Sequence, residues 1–401
     1  MTTSRTLRDR LVDRLVAERA VTSAEVEAVL REVPRELFLP GVPLELVYAD
    51  DVVVTKRDED GRALSSASAP GLVADMLRMT RARPGQRILE IGTATGVNAC
   101  YLSRLVGPEG RVYTVEIDPD FAEGAGRGLA AAGADNVVTV LGDGEYGVPE
   151  AAPFDAVEVT AQAGDIAAAW LDQLNPASGR LVVPLTLRGL SRTFAFRPEG
   201  DHWVADEQLP SGFVPIRGEG ARAQRGIALL GGDEAAELRV DDDQPADAQA
   251  LRAAFAAPAH QEWTGVTLPA HDRSLLHLDF WLAASLERYG RFVNVGPSVG
   301  AGPGPLGWTL PFGTSATWDR DTVAYVTLRQ NGLTDFELGV WAHGPRRAAM
   351  AADLAAQVRH WDRRRRGGPE PVVRAYRAGT PDHRLAPGRV VDRPHTRMVI
   401  G

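Results

Sequence analysis

Cysteine and lysine are almost missing from this chain of 401 residues: Cys100 and Lys56 are the only ones. One cysteine rules out an internal disulfide, and its place in an apolar helical stretch suits a small buried residue. The other basic residues are arginines, which together with abundant alanine reads as the signature of a GC-rich genome. Histidine does not occur before His202, so the first 200 residues offer no imidazole as a general base. No apolar run is long enough to span a bilayer, and the first 30 residues are charged and amphipathic without the apolar core of a secretory signal. The expectation is a cytoplasmic protein with no membrane partner. Positive charge is also short, the formal net charge being −9, which argues against a nucleic-acid partner.

What is present is a globular composition, 44% hydrophobic and 24% charged, in a chain long enough for two domains. The most informative stretch runs from Arg87 to Pro119. Arg87 to Ile91 reads as a buried parallel strand, Gly92 to Gly96 as a tight turn, Val97 to Val106 as a helix and Arg111 to Ile117 as a second strand. Glycines at 92 and 96 allow close backbone approach of a ligand, and the following helix aims free N–H groups at it. A dinucleotide fold would show G-x-G-x-x-G. Here the pattern is Glu90-x-Gly92-x-x-x-Gly96, with Glu116 ending the second strand, and that spacing resembles the first motifs of S-adenosylmethionine-dependent methyltransferases. The implied fold is α/β, a Rossmann-like class I methyltransferase domain. Glu116 is then expected to accept from the ribose hydroxyls, with Thr93, Ala94 and Ile117 beside it.

Upstream, Leu7, Leu11, Leu15 and Val16 mark a first helix, and Thr22-x-x-Glu25 reads as a capping box that opens a second. Then come Val33-Pro34-Arg35-Glu36-Leu37-Phe38-Leu39-Pro40, Tyr48-Ala49-Asp50 and Ser65-Ser66-Ala67-Ser68-Ala69-Pro70. Downstream stand Gly142-Asp143-Gly144, Pro153-Phe154-Asp155, Val159-Thr160-Ala161, Gly179 to Pro184 and Gly212-Phe213-Val214-Pro215. This set resembles the protein-L-isoaspartate O-methyltransferase family over about residues 5 to 225. The resemblance implies S-adenosyl-L-methionine as cofactor, with contacts from Ser68, Glu90, Gly92, Thr93, Ala94, Gly96, Glu116, Ile117, Gly142, Asp143, Gly144 and Thr160. Asp143 is expected to accept from the adenine amino group. Ser68, then Ser66, match the family's signature before the glycine turn and are expected to position the reacting groups; the same serines also read as an N-cap for the next helix. Asp50 is expected to order its loop. Gly212 to Pro215 resembles the family's last strand. Three departures are visible: Ala94 in place of a glycine, which calls for a negative φ, Val97 in place of an aromatic, and a longer, more charged stretch from Lys56 to Arg62.

Methyl transfer from a sulfonium is an in-line displacement on an already activated donor. Holding the acceptor aligned supplies on the order of 7 to 11 kcal/mol. An ionised carboxylate has no proton to lose at neutral pH, which agrees with the missing histidines.

Asp241-Asp242-Asp243-Gln244-Pro245 reads as a solvated linker, dividing a methyltransferase domain at 1–230 from a mixed α/β domain at 245–401. The second part holds apolar runs at Leu275 to Leu286 and Thr322 to Leu328, a strand at Phe336 to Trp341, a helix from Pro345 to about Arg366, a Gly/Pro loop from Gly296 to Gly307, and most of the tryptophans. Arg359 and Arg363 to Arg366 suggest either an acidic-peptide site or a solvated helix end. His343, His360 and His395 match no zinc spacing, so no metal is expected. Ala342-His343-Gly344-Pro345, Trp361-Asp362-Arg363, Ala378 to Asp382 and His395-Thr396-Arg397 resemble the longer homologues associated with lanthipeptides, lasso peptides, graspetides and FxLD-type peptides. That resemblance implies methylation of an aspartate in a precursor peptide, already cyclised, leading to aspartimide and isoaspartate. The alternatives are an isoaspartyl repair enzyme with an added domain, a tRNA methyltransferase and a non-catalytic peptide-binding module. A monomer is the default.

Overall fold

The computed structural model describes residues 3–231, 235–269, 272, 274–294, 313–332 and 334–401. The expected Gly296 to Gly307 loop lies outside the described residues. The chain opens with two helices, α1 (Ser4–Ala17) and α2 (Ala24–Glu32), whose apolar faces bury Leu11, Leu15, Val26 and Leu30 in one cluster with Val97, Cys100 and Leu102. Ser23 and not Thr22 caps α2: its hydroxyl accepts from the Val26 N–H at 3.3 Å and donates to Glu25 at 2.7 Å. A short helix α3 (Leu44–Val47) leads to an antiparallel hairpin, β1 (Val53–Arg57) and β2 (Ala63–Ala67), followed by helix α4 (Pro70–Thr80). The charged stretch from Lys56 to Arg62 is the tip of that hairpin.

Alternating strands and helices then build the central layer: β3 (Arg87–Ile91), α5 (Val97–Val106), β4 (Arg111–Glu116), α6 (Pro119–Ala131), β5 (Val137–Leu141), β6 (Ala156–Val159), α7 (Ala168–Asp172) and β7 (Arg180–Leu187). These five strands are parallel, in the order β5-β4-β3-β6-β7. Strand β3 sits in the middle with both faces covered, which is why it reads as an apolar run. Antiparallel β8 (Leu190–Glu199) and β9 (His202–Pro210) continue the sheet beyond β7. Gly212 to Pro215 does not form the expected strand. It runs extended past residue 162, bridged Gln162 to Pro215, with the Gln162 N–H on the Val214 carbonyl at 2.9 Å.

The rest of the chain makes a second sheet and then returns. Strands β10 (Arg225–Leu230) and β11 (Ala236–Val240), helix α8 (Ala248–Phe255), β12 (His260–Pro269), helix α9 (Ser274–Ser285), β13 (Gly290–Asn294), β14 (Thr314–Trp318), β15 (Val323–Asn331), β16 (Asp335–His343) and helix α10 (Arg347–Arg364) follow in order. Seven strands pair antiparallel as β10-β11-β13-β14-β15-β16-β12, and α10 covers them through Leu354, Ala355, Val358 and Trp361. Finally β17 (Val373–Arg377), β18 (Arg389–Asp392) and β19 (Thr396–Ile400) join the first sheet, β17 pairing with β9. The strands therefore do not divide between 230 and 245. Strand β10, before that gap, and β11, inside it, belong to the second sheet, and β17, β18 and β19 belong to the first.

The run at Asp241 to Pro245 is a joint rather than a solvated linker. Asp241, 4% exposed, accepts from the N–H groups of Arg188 at 2.8 Å and Gly189 at 3.2 Å, and pairs with buried Arg393. Gln244 brackets Tyr289 through both its amide atoms. No helix among the described residues is long and apolar enough to cross a membrane.

Candidate cofactor and active site

At the carboxyl end of β3 the chain turns through Gly92 at φ 98°, Ala94 at φ 46° and Gly96 at φ 86° before entering α5. A β-carbon on Gly92 would lie 2.7 Å from the Thr160 hydroxyl oxygen, and one on Gly96 would lie 2.9 Å from the Ala125 β-carbon. Glycine is required at both. The Ala94 residue contradicts the expectation of a negative φ: it sits in the left-handed region, where its N–H donates to Glu116 Oε2 at 2.8 Å. That bond fixes the strained turn against the end of β4.

This turn is one wall of an open cavity of about 980 Å³, open solvent at its mouth included. Ser66, Ser68, Gly92, Thr93, Ala94, Glu116, Ile117, Gly144 and Thr160 all line it, so the folded chain brings together most of the residues named from sequence. Glu116, only 5% exposed, also accepts from the Asp118 N–H at 3.0 Å. Thr160 donates to the Gly92 carbonyl at 2.6 Å and thereby clamps β6 to the turn. Gly96, Gly142, Asp143 and Glu90 stand outside the lining. Gly96 shapes the turn, and the Gly142 N–H donates to the Glu116 carbonyl at 2.9 Å. Asp143 accepts from the N–H groups of Glu145 at 2.9 Å and Glu219 at 2.8 Å. Glu90 is fully buried behind the wall, bonded to Asn98 at 2.8 Å and to Thr114.

The serines arrive on β2 and the bend after it. Ala69 occupies the N-cap of α4 and no side chain caps it, so the serines do not serve as caps. The Ser68 carbonyl accepts from buried Arg35 at 2.9 Å, while Asp50 accepts from the Gly71 N–H at 2.7 Å. Lys56, the lone lysine, ties the hairpin to Asp118 at 2.7 Å. The serines thus line the cavity on a hairpin fastened at both ends.

Sequence reasoning missed Asn98, Glu158 and Arg217 in the lining. Among the described residues Arg217 is the one cation there, with its guanidinium 3.5 Å from both Glu116 and Asp118. The signal for Glu158 was a carboxylate inside an otherwise apolar strand; Arg217 had only its place beside Pro215. No histidine among the described residues lines the cavity, but His395 returns from the far end of the chain to lie 3.0 Å from Glu145, two residues beyond Asp143. Arg359 pairs with Glu262 at 2.9 Å and Arg366 with Asp272 at 2.7 Å, so neither is a free anion receptor. His343 stacks on Phe255 and His360 on Trp281. Among the described residues no cluster of three metal-binding side chains occurs. Burial pushes the Cys100 thiol up to about 11, which makes it inert packing.

The cradle suits S-adenosylmethionine. It has a close-approach turn, backbone N–H groups at the start of α5, a carboxylate at the end of β4 and apolar walls from Val73, Ile91, Val97 and Ile117. The cofactor supplies the activated methyl group, and the chain's residues hold and orient it. The family model described as protein-L-isoaspartate(D-aspartate) O-methyltransferase matches residues 6–221. A protein-L-isoaspartate O-methyltransferase of Hyperthermus butylicus is 37% identical over 224 residues, 54% of this chain and 90% of that relative. One of Thermotoga maritima is 38% identical over 213 residues, 52% of this chain and 66% of the relative. A solved protein-L-isoaspartate O-methyltransferase structure aligns over 92% of this chain and 96% of its own, with TM-score 0.51 and 23% identity. That alignment reaches well beyond the first sheet, so an additional region of this kind is not peculiar to this chain. The chain belongs to the protein-L-isoaspartate(D-aspartate) O-methyltransferase family and is an S-adenosylmethionine-dependent protein carboxyl O-methyltransferase.

Proposed function

We propose that the protein esterifies the side-chain carboxylate of an aspartate in a ribosomally made, already cyclised precursor peptide. The observation that carries this reading is where the chain's end lies. His395 and Thr396, in a segment resembling the peptide-associated homologues, bond Asp165 and reach Glu145 beside the expected adenine turn. The segment that resembles those homologues thereby packs against the catalytic half. Ser68 and Ser66 donate to the acceptor carboxylate, and its oxygen attacks the methyl group without a base, in keeping with a cavity lined by no histidine among the described residues. The backbone nitrogen after the esterified aspartate then attacks the ester carbonyl. Methanol leaves and an aspartimide ring remains, which water opens to aspartate or isoaspartate.

The second reading is L-isoaspartyl repair, favoured by the names of the relatives and by the alignment of one such structure along nearly the whole chain. Mass spectrometry separates the two. The full chain is incubated with S-adenosylmethionine and either a generic isoaspartyl peptide or a cyclised precursor carrying unmodified aspartate. Gain of a methyl group followed by net loss of one water on the precursor alone supports the first reading. Methylation of the isoaspartyl peptide alone replaces it with repair.

A further inference from the structure

Strands β3 and β6 carry glutamates where a doubly covered parallel sheet normally holds apolar residues. Glu90 and Glu158 are register partners, and neither has solvent exposure. The Asn98 carboxamide on α5 donates one hydrogen to each, 2.8 Å to Glu90 Oε1 and 2.9 Å to Glu158 Oε1. The other two oxygens meet hydroxyls, Thr114 at Glu90 and Thr80 at Glu158.

Counting hydrogens locates a proton. Thr93 Oγ1 lies 2.6 Å from Thr114 Oγ1, so Thr93 donates to Thr114 and Thr114 donates to Glu90. Glu90 needs no proton of its own. Thr80 Oγ1 lies 2.9 Å from the Met76 carbonyl, an oxygen that only accepts. The one Thr80 hydrogen cannot serve Met76 and Glu158 together, and a proton on Glu158 Oε2 satisfies both contacts at once. The two buried carboxylates therefore share one proton and one negative charge, and Glu158 Oε2 is the place for the proton that satisfies both Thr80 contacts.

Glu158 and Asn98 line the cofactor cavity, with Glu90 directly behind them. Facing the pair are Thr80 from α4, Asn98 from α5, Thr114 from β4 and, at longer range, the Glu116 carboxylate. No arginine, lysine or histidine among the described residues bonds to either glutamate. Burial is the main reason that Glu90 is pushed up to about 8 and that Glu158 is raised too, and the titration belongs to the pair.

S-adenosylmethionine carries a permanent positive charge on sulfur, whereas S-adenosylhomocysteine is a neutral thioether on the same skeleton. We propose that Glu158 is a charge-sensing specificity residue: its proton passes to solvent when the sulfonium cofactor binds and stays when the thioether product binds, so the pair favours cofactor over product. Transfer of the methyl group removes the charge on sulfur, Glu158 takes a proton back from solvent, and the product is held less tightly. The inference rests on the cofactor and is independent of which peptide accepts the methyl group.

Isothermal titration calorimetry of the full chain, without acceptor, tests it with S-adenosylmethionine and S-adenosylhomocysteine in buffers of different ionisation enthalpy. Near neutral pH, S-adenosylmethionine should release a proton in an appreciable fraction of binding events and S-adenosylhomocysteine almost none. The ratio of their affinities should rise about tenfold between about pH 6 and about pH 8. Glu158→Gln, which keeps shape and removes the titrating group, should flatten that ratio and abolish the difference in proton release. Equal proton release for the two ligands in the unaltered protein overturns the proposal, as does a pH-dependent ratio that survives in Glu158→Gln. Should that variant fail to fold, the proton count of the unaltered protein decides alone.

Discussion

Ala94 holds φ at 46° in a turn where its neighbours at the same job are glycines. A left-handed conformation costs an L-residue about 1 to 2 kcal/mol, and glycine gives back about 0.5 to 1 through the unfolded chain's entropy. Ala94→Gly should therefore raise stability by about 0.5 to 1 kcal/mol, read from urea unfolding; a loss of stability would show that the methyl group packs usefully. Ser68 makes the opposite case. Its hydroxyl has no hydrogen-bond partner among the described residues, and Ala69 is the cap of α4. Ser68→Ala should leave the melting temperature unchanged and lower kcat on the order of tenfold to a hundredfold, as for a misplaced acceptor. An unchanged kcat would remove Ser68 from the reaction. Much of this site was legible because short spacing carries it: Gly92, Glu116 and Thr160 are read from positions within one or two elements. The sign of φ at Ala94 was not legible, since it is set by the Glu116 carboxylate at the end of another strand.

The hairpin of β1 and β2 is the element that brings the serines to the cavity, and it stands apart from both large sheets. Its pairing is irregular, with register shifts around Lys56 and Arg57. The tether from Lys56 to Asp118 compensates for that short ladder. Lys56 is 38% exposed, so screening limits the bond to at most about 1 kcal/mol. That amount is enough to change local opening by about fivefold. Lys56→Met should accelerate tryptic cleavage after Arg57 and Arg62 by about that factor while leaving global unfolding nearly unaltered. Equal cleavage rates would mean that strand pairing alone holds the hairpin. From sequence this stretch looked like an excess of charge, because a lysine's partner 62 residues away has no local signature.

At the scale of the whole molecule, the chain closes on itself in a way that reading in order does not disclose. Helix and strand periods announced β3, α5 and α10, but the return of β17, β18 and β19 to the first sheet depends on register with β9, which no local pattern encodes. The acidic run before Pro245 looked like a solvated boundary for the same reason: Arg188 and Arg393 satisfy it from distant parts of the sequence. A chain ended at residue 230 tests the difference. It would lose Val373, Val391, Met398 and Ile400, which are buried in the same core as Leu89, Val157 and Val183. Four such side chains stabilise by on the order of 10 kcal/mol. Net stability of a domain is itself only about 5 to 15 kcal/mol. The cut would also leave the edge of β9 unpaired and β10 without its neighbour β11, two exposed edges that invite association. The 1–230 chain should therefore aggregate or melt without a cooperative transition, by circular dichroism and light scattering, and should not bind S-adenosylmethionine in the calorimeter. If it instead melts cooperatively and binds the cofactor with undiminished affinity, the last three strands are an appendage, and the expected boundary at 230 marks an autonomous domain.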